Sequence, residues 1–204
     1  MNPTQEMIKR LFLSIAISVA ALIAGTNSVT AAVTRCNGPF LDPGTYDAVL
    51  VPKGKECSVV GDVTVEGNVI LQEGASLIVQ GSGFTVNGNL QGNGVSKVTI
   101  QRSPTGATIT IHGNVSITGA TGEVDLFEVI IGGNLKISGS NGGPILVQNS
   151  QVSGNALFQK NTTDTAFGII GNTIVGNLVC NGNDPAPVVM NSTASGQMNG
   201  QCSQ

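Results

Sequence analysis

The chain has 204 residues, of which 28 are Gly and 21 are charged, with seven aromatics and no Trp. A formal net charge of -3 with nine Lys and Arg leaves no electrostatic footprint for a phosphate backbone, which excludes a basic nucleic-acid binder. An apolar fraction of 40% and a mean hydropathy of +0.22 exclude a disordered tail, and the length is short for a large two-domain enzyme.

Residues 1–32 read as an export leader. Lys9 and Arg10 close a basic opening, residues 11–25 (LFLSIAISVAALIAG) are an apolar run, and residues 29–32 (VTAA) end in small side chains. That order is the signature of a secretory signal peptide. About 15 apolar residues fall short of the roughly 20 that span a bilayer, so cleavage after Ala31 or Ala32 is expected rather than anchoring. Arg35 precedes Cys36, where a lipoprotein signal needs a small residue. The mature chain keeps 7 basic and 11 acidic groups, no second long apolar segment, and four cysteines. An even cysteine count in an oxidising compartment reads as two disulfides. The expected location is secreted, periplasmic or cell-surface, with no membrane span in the mature chain.

From residue 61 onward the sequence repeats. A Gly-Asn pair opens a short strand-like triplet at Gly67-Asn68, Gly88-Asn89, Gly113-Asn114, Gly133-Asn134, Gly154-Asn155 and Gly176-Asn177, at intervals of 21, 25, 20, 21 and 22 residues. Asp62 in GDVTV and Gln197 in GQMNG look like degenerate first and last copies. Each unit continues with an alternating stretch, such as SLIVQ at Ser76, KVTIQ at Lys97, EVDLF at Glu123 and PILVQ at Pro144. A third stretch follows, such as FTVN at Phe84 or TITIH at Thr108. Period-2 alternation of β-branched residues marks short strands with one buried face. A fixed period of this kind is the mark of a stacked-repeat fold.

Three strands and three turns every 21 or so residues describe one coil of an all-β parallel solenoid of about seven three-strand coils, each stacked at roughly 4.8 Å on the next. The long and variable period resembles the right-handed parallel β-helix of the pectate-lyase type. Gly and Asn are expected at positive-φ corners. Asn149, Asn172 and Asn191 are placed to stack as a hydrogen-bonded ladder, the alternative being three independent loop positions. Val69, Leu71, Leu77, Val79, Val98, Ile100, Val115, Ile117, Val124, Leu126, Leu135, Ile137, Ile145 and Val147 should fill a narrow interior that leaves no room for bulky aromatics. The expected organisation is a leader over 1–32, an N-terminal cap over 33–60, coils over 61–195 and a C-terminal cap over 196–204.

The cysteines fit this geometry. Cys36 and Cys57 lie 21 residues apart at the front, and Cys180 and Cys202 lie 22 apart at the back, about one coil in each case. Pairing across the length of the rod is implausible, because bridged Cα atoms must approach within about 7 Å. The expected bonds are Cys36–Cys57 and Cys180–Cys202, tying down open ends whose unpaired edges invite fibre growth. No CxxC occurs and His112 is the lone His, so no cofactor or metal site is expected.

These parts together resemble a group of short exported bacterial repeat proteins in the parallel β-helix superfamily. The resemblance is carried by Cys36 to Gly38, the PKGKEC segment over 52–57, the GNV-type coils and the LVCNGNDPAP … GQC run over 178–202. That group has no established catalytic motif, so the resemblance implies fold and export rather than activity.

Aligning coils on their Gly-Asn pairs sets Lys97, Thr99 and Gln101 beside Glu123, Asp125 and Phe127, with Arg102 and His112 in the same long coil as Lys97. Lys97, Arg102, Glu123 and Asp125 are the one concentration of ionisable groups. As a site they suit a small polysaccharide lyase or hydrolase, with carboxyls doing acid–base work and Lys97 or Arg102 taking a proton. Only Phe127 and Phe158 offer sugar platforms, and a cross-strand ion pair between Lys97 and Glu123 explains the cluster more simply. The leading expectation is therefore a non-catalytic surface or matrix scaffold that meets a glycan or another protein. An ice-binding solenoid is a further alternative, but it needs a regular Thr-x-Thr array, and TITI at Thr108 stands isolated. Sequons fall at Asn114, Asn161 and Asn191.

Overall fold

Alternation decides which side chains enter the interior, and all fourteen aliphatic residues expected there are at most 2% exposed. In the computed structural model, which describes residues 32–80, 83–102 and 107–203, they line a parallel β-solenoid of about seven turns with no helix among the described residues. The expected leader, apart from Ala32, lies outside those residues. Three parallel sheets run the length of the solenoid, with nine, eight and eight strands. One coil passes from the first sheet at Val69–Leu71, through the second at Ser76–Gln80, to the third at Phe84–Val86, and re-enters the first at Leu90–Asn93. Residues 33–60 contribute strands to all three sheets, beginning with Val33–Arg35 beside Ala48–Val51.

The three corners behave differently. The corner from the third sheet back to the first is three residues long in every coil from 66–68 to 195–197. It carries the Gly-Asn pair. The backbone there is not left-handed, contrary to the positive-φ expectation. Glycine is demanded by stacking: each Gly N–H donates to the Gly carbonyl one coil earlier, as from Gly88 to Gly67 at 3.0 Å. A Cβ on Gly88 would stand 2.5 Å from that oxygen. The following Asn forms a ladder. The backbone N–H and side-chain Nδ2 of Asn89 donate to Asn68 Oδ1 at 2.8 and 3.1 Å, and the pattern repeats through Asn114, Asn134, Asn155 and Asn177. Gln197 ends the column with its N–H on Asn177 Oδ1. Asp62 is not its first copy. The register places Asp47 and Ala48 before Gly67 and Asn68, while Asp62 Oδ1 accepts from Gly83 N–H at another corner.

The ladder expected from Asn149, Asn172 and Asn191 is off by one position. Asn149, Gly171 and Asn191 share a left-handed corner column with φ of 50, 68 and 52°, and Glu128 begins it at 55°. Short polar side chains and Gly tolerate that region. Asn172 belongs to the next column, where its Oδ1 accepts from Ser150 N–H and its own N–H donates to Ser192 Oγ. A further buried ladder, Ser140–Asn161–Asn183–Gln201, spans the corner between the first and second sheets.

The interior also admits aromatics, contrary to expectation. Phe84, Phe158 and Phe167 are at most 4% exposed, and the rings of Phe158 and Phe167 meet edge to face at 5.9 Å. Small neighbours make room: Ala156 stands where other coils place Val115 or Leu135. The two cysteine pairs close as expected, Cys36 to Cys57 and Cys180 to Cys202, with Cα atoms 5.9 and 5.2 Å apart. Each bond stitches a terminal coil to its neighbour.

Asn161→Ala should cost about 3 kcal/mol, because Asn161 is fully buried and the Ser140 N–H and Ile137 carbonyl would lose their partner. Asn134→Ala, on the exposed ladder where water replaces the amide, should cost about 1 kcal/mol. Denaturant titration of both variants checks the order, and an equal cost would contradict it. Non-reducing peptide mapping should yield the 36–57 and 180–202 pairs. Full reduction should remove about 3 kcal/mol for each closed loop of about 21 residues.

Candidate functional site

The expected cluster sits on the outer face of the second sheet. Strands Lys97–Gln101 and Val124–Phe127 pair in parallel with Val98 opposite Val124, Thr99 opposite Asp125 and Gln101 opposite Phe127. Val98, Ile100, Val124 and Leu126 point inward, which turns Lys97, Thr99, Gln101, Asp125 and Phe127 outward. Lys97 Nζ meets Glu123 Oε2 at 2.8 Å, the cross-strand pair that the spacing suggested. Gln101 Nε2 donates to Asp125 Oδ2 at 2.6 Å, and Gln80 donates to Gln101 at 3.4 Å.

Asp125 is the unusual member. Although it lies on the outer face it is only 8% exposed, and Thr99 opposite it is 2% exposed. Asp125 Oδ1 and Thr99 Oγ1 are buried without a hydrogen-bond partner. Burial drives the Asp125 carboxyl above the ordinary carboxylate range; the hydrogen bond from Gln101 opposes that rise, Glu123 adds to it, and Lys97 again opposes it.

Arg102 does not join this group. It lies just past the strand, where its Nε donates to the Ala107 carbonyl at 3.2 Å and its guanidinium pairs with Glu128 at 3.4 Å. That corner holds a small hollow of about 170 Å³ lined by Arg102, Thr108, Glu128, Val129, Ile130, Asn149 and Gln151. Of the two aromatic platforms expected from sequence, Phe127 is half-buried on the outer face, whereas Phe158 is in the core and meets no ligand. His112 is exposed at a corner. No group of three His, Cys, Asp or Glu among the described residues is placed to hold a metal ion. Asn161 is fully buried, so its sequon is closed in the folded chain.

Two features escaped the sequence. The first sheet presents an outward row of Asn93, Thr118, Ser138, Gln159 and Asn181 in direct register, beside Gln91, Ser116 and Lys136. A shallow hollow of about 400 Å³ lies on that face, lined by Ile70, Leu71, Gln91, Gly92, Asn93, Ser116 and Thr118. On the third sheet Thr45, Thr64, Thr85 and Thr110 stand in one outward column, which Ile130 and Gln151 interrupt before Thr173 and Thr193 resume it. Thr45, Thr64, Thr85 and Thr110 are the middle residues of triplets, and the first-sheet row is the last residue of successive four-residue strands, but only the coil register sums them into a face. Such rows offer hydroxyl and amide groups about every 4.8 Å, suited to an extended partner rather than a small molecule in a cleft.

The raised Asp125 carboxyl carries a stability signature. It costs nothing below the ordinary carboxylate range, where folded and unfolded chains are both protonated. The cost grows as pH rises, because the unfolded chain ionises first, and it is complete above the folded value. Asp125→Asn keeps an acceptor for Gln101 and removes the buried charge. It should raise the unfolding temperature at pH 7, with no gain near pH 3. Thermal melts at both pH values check this, and a lower melting temperature at pH 7 would contradict it.

No family model matches the chain, and no curated protein or solved structure matches it either.

Proposed function

We propose that the protein is an exported, non-catalytic β-solenoid scaffold whose polar outer faces bind an extended glycan or a surface protein. One observation carries the reading: Asp125, the group with the most perturbed acidity, is nine-tenths buried and tied to Gln101, while Lys97 and Glu123 satisfy each other. A general acid has to reach its substrate within hydrogen-bond distance, and Asp125 lines none of four hollows on the described surface. The open polar row on the first sheet supplies the binding surface. Two disulfides favour an oxidising compartment, outside the cell or periplasmic, and no helix among the described residues is long and apolar enough to cross a membrane. The resemblance to short exported bacterial repeat proteins supports the same reading.

A small polysaccharide lyase or hydrolase is the second reading, favoured by the Asp125 carboxyl, which burial holds above the ordinary carboxylate range beside Glu123 and Lys97. The separation of Arg102 toward Glu128 and the core position of Phe158 weigh against it. Ice binding has the four registered threonines in its favour, but the column is single-file and broken by Ile130 and Gln151.

A glycan array and a depolymerisation screen on the chain from residue 32 separate the readings. Binding without chain cleavage, weakened about tenfold by Gln91→Ala with Lys136→Ala (about 1.4 kcal/mol) and unchanged by Arg102→Ala, is the expected result. Depolymerisation that Asp125→Ala or Arg102→Ala abolishes would establish the enzyme instead.

A further inference from the structure

We infer that the leader is cut between Ala31 and Ala32, and that the α-ammonium so released is held by the Asp47 carboxylate, pinning the first strand of the solenoid. The inference rests on the export reading.

The leader sequence offers two bonds, after Ala31 and after Ala32, because small side chains precede both. The fold distinguishes them. Ala32 N–H donates to Asp47 Oδ2 at 2.8 Å, and the first strand begins at the next residue, with Val33 opposite Ala48. A cut after Ala31 leaves the donor in place. A cut after Ala32 removes it and makes the first strand residue, Val33, the free end.

Asp47 is held where this contact needs it. Its carbonyl accepts from Gly67 N–H at 2.7 Å, so the next coil fixes its backbone. The register also shortens this corner by one residue: Tyr46 pairs with Val65 and Val49 with Val69, so three steps face four. Asp47 therefore occupies the position that glycine takes in later coils, and its carboxylate reaches back to the start of the chain.

The strand Val33–Arg35 needs such a contact. It is three residues long and lies at the edge of its sheet, paired on one side only. Its far end is secured by Cys36, through Cys36 N–H to the Leu50 carbonyl and the bond to Cys57. Asp47 secures the near end, so both termini of an edge strand that would otherwise fray are tied to the second coil.

The chemistry is a single hydrolysis by an export endopeptidase that accepts small residues before the cut. Hydroxide from water adds to the Ala31 carbonyl carbon, the C–N bond to Ala32 breaks, and the leader departs with a carboxylate. The Ala32 nitrogen takes both protons of that water, one as the C–N bond breaks and one given up by the new carboxylic acid, and with an ordinary α-amino value of about 8 it is an ammonium at neutral pH. An amide donor thereby becomes a charged one, and charge-assisted hydrogen bonds are roughly twice as strong as neutral ones.

The test starts from the full chain expressed in a secreting bacterial host. N-terminal sequencing of the exported product should read Ala-Val-Thr-Arg. A product beginning at Val33 or elsewhere overturns the assignment while leaving export intact, and a chain recovered only with Met1 in place refutes export and the inference with it. For the Asp47 contact, NMR titration of the Ala32 α-amino group compares the processed chain with its Asp47→Asn variant. The wild-type amine should titrate about half a pH unit higher, as an exposed ion pair provides. Coincident curves would overturn the clamp even if the cut is where we place it.

Discussion

Coil-on-coil register is the constraint on which the rest depends. Along all three sheets the backbone of one coil bonds to that of the next, so a residue is chosen less by its sequence neighbours than by the residue about 21 positions away. The three-residue corner from the third sheet to the first shows how strict this is. Its backbone needs no left-handed conformation, yet a side chain on Gly88 or Gly176 would collide with the preceding coil within 2.5 to 2.7 Å. Because that corner never changes length from 66–68 to 195–197, the Asn beside the Gly always falls under the same amide, and the ladder is continuous. The other two corners absorb the variation in coil length, from the single residue 128 to the seven residues 102–108 between the second and third sheets.

This division explains what the sequence made legible. The invariant corner is a local signature, two adjacent residues at a near-constant interval, and from it the period, the three strands per coil, the aliphatic interior and both cysteine pairs follow. The variable corners have no such signature. Asn149, Asn172 and Asn191 share a sequence context but not a column, because one is offset by a residue relative to the other two, and only hydrogen-bond register shows it. The same holds for Asp62, which imitates the repeat in its letters and sits at a different corner. Aromatic exclusion failed for a related reason. Interior width is set column by column, so Ala156 beside Phe158 keeps the volume that Leu135 and Ile137 fill in the preceding coil.

The outer faces were less legible, since periodicity states only that a residue points out. Asp125 points out and is still buried between Thr99 and Leu146, its partners in register on either side, with Gln101 bonded to it and Glu123 and Lys97 close enough to act on its charge. Its acidity is a property of those surroundings and not of the strand pattern. The threonine column of the third sheet and the amide–hydroxyl row of the first are spread one residue per coil, so no window of sequence displays them. Once stacked, they are regular polar columns on the outer faces, apart from the ion-pair cluster.

Placing function on the faces also assigns a purpose to the terminal devices. A solenoid that presents a row of side chains is useful only while its register holds, and register is weakest where a sheet ends and one side of a strand is unpaired. The described chain spends its two disulfides at those places, joining the first and last coils to their neighbours with the sulfurs buried at 0–3% exposure. The middle coils carry none, and they rely on ladders and on the aliphatic interior. Just past the strand Lys97–Gln101, Arg102 pairs with Glu128 of the next coil without a covalent bond. The covalent contacts thus stand at the two ends, where stacking alone is weakest, and the ion pairs join neighbouring coils between them.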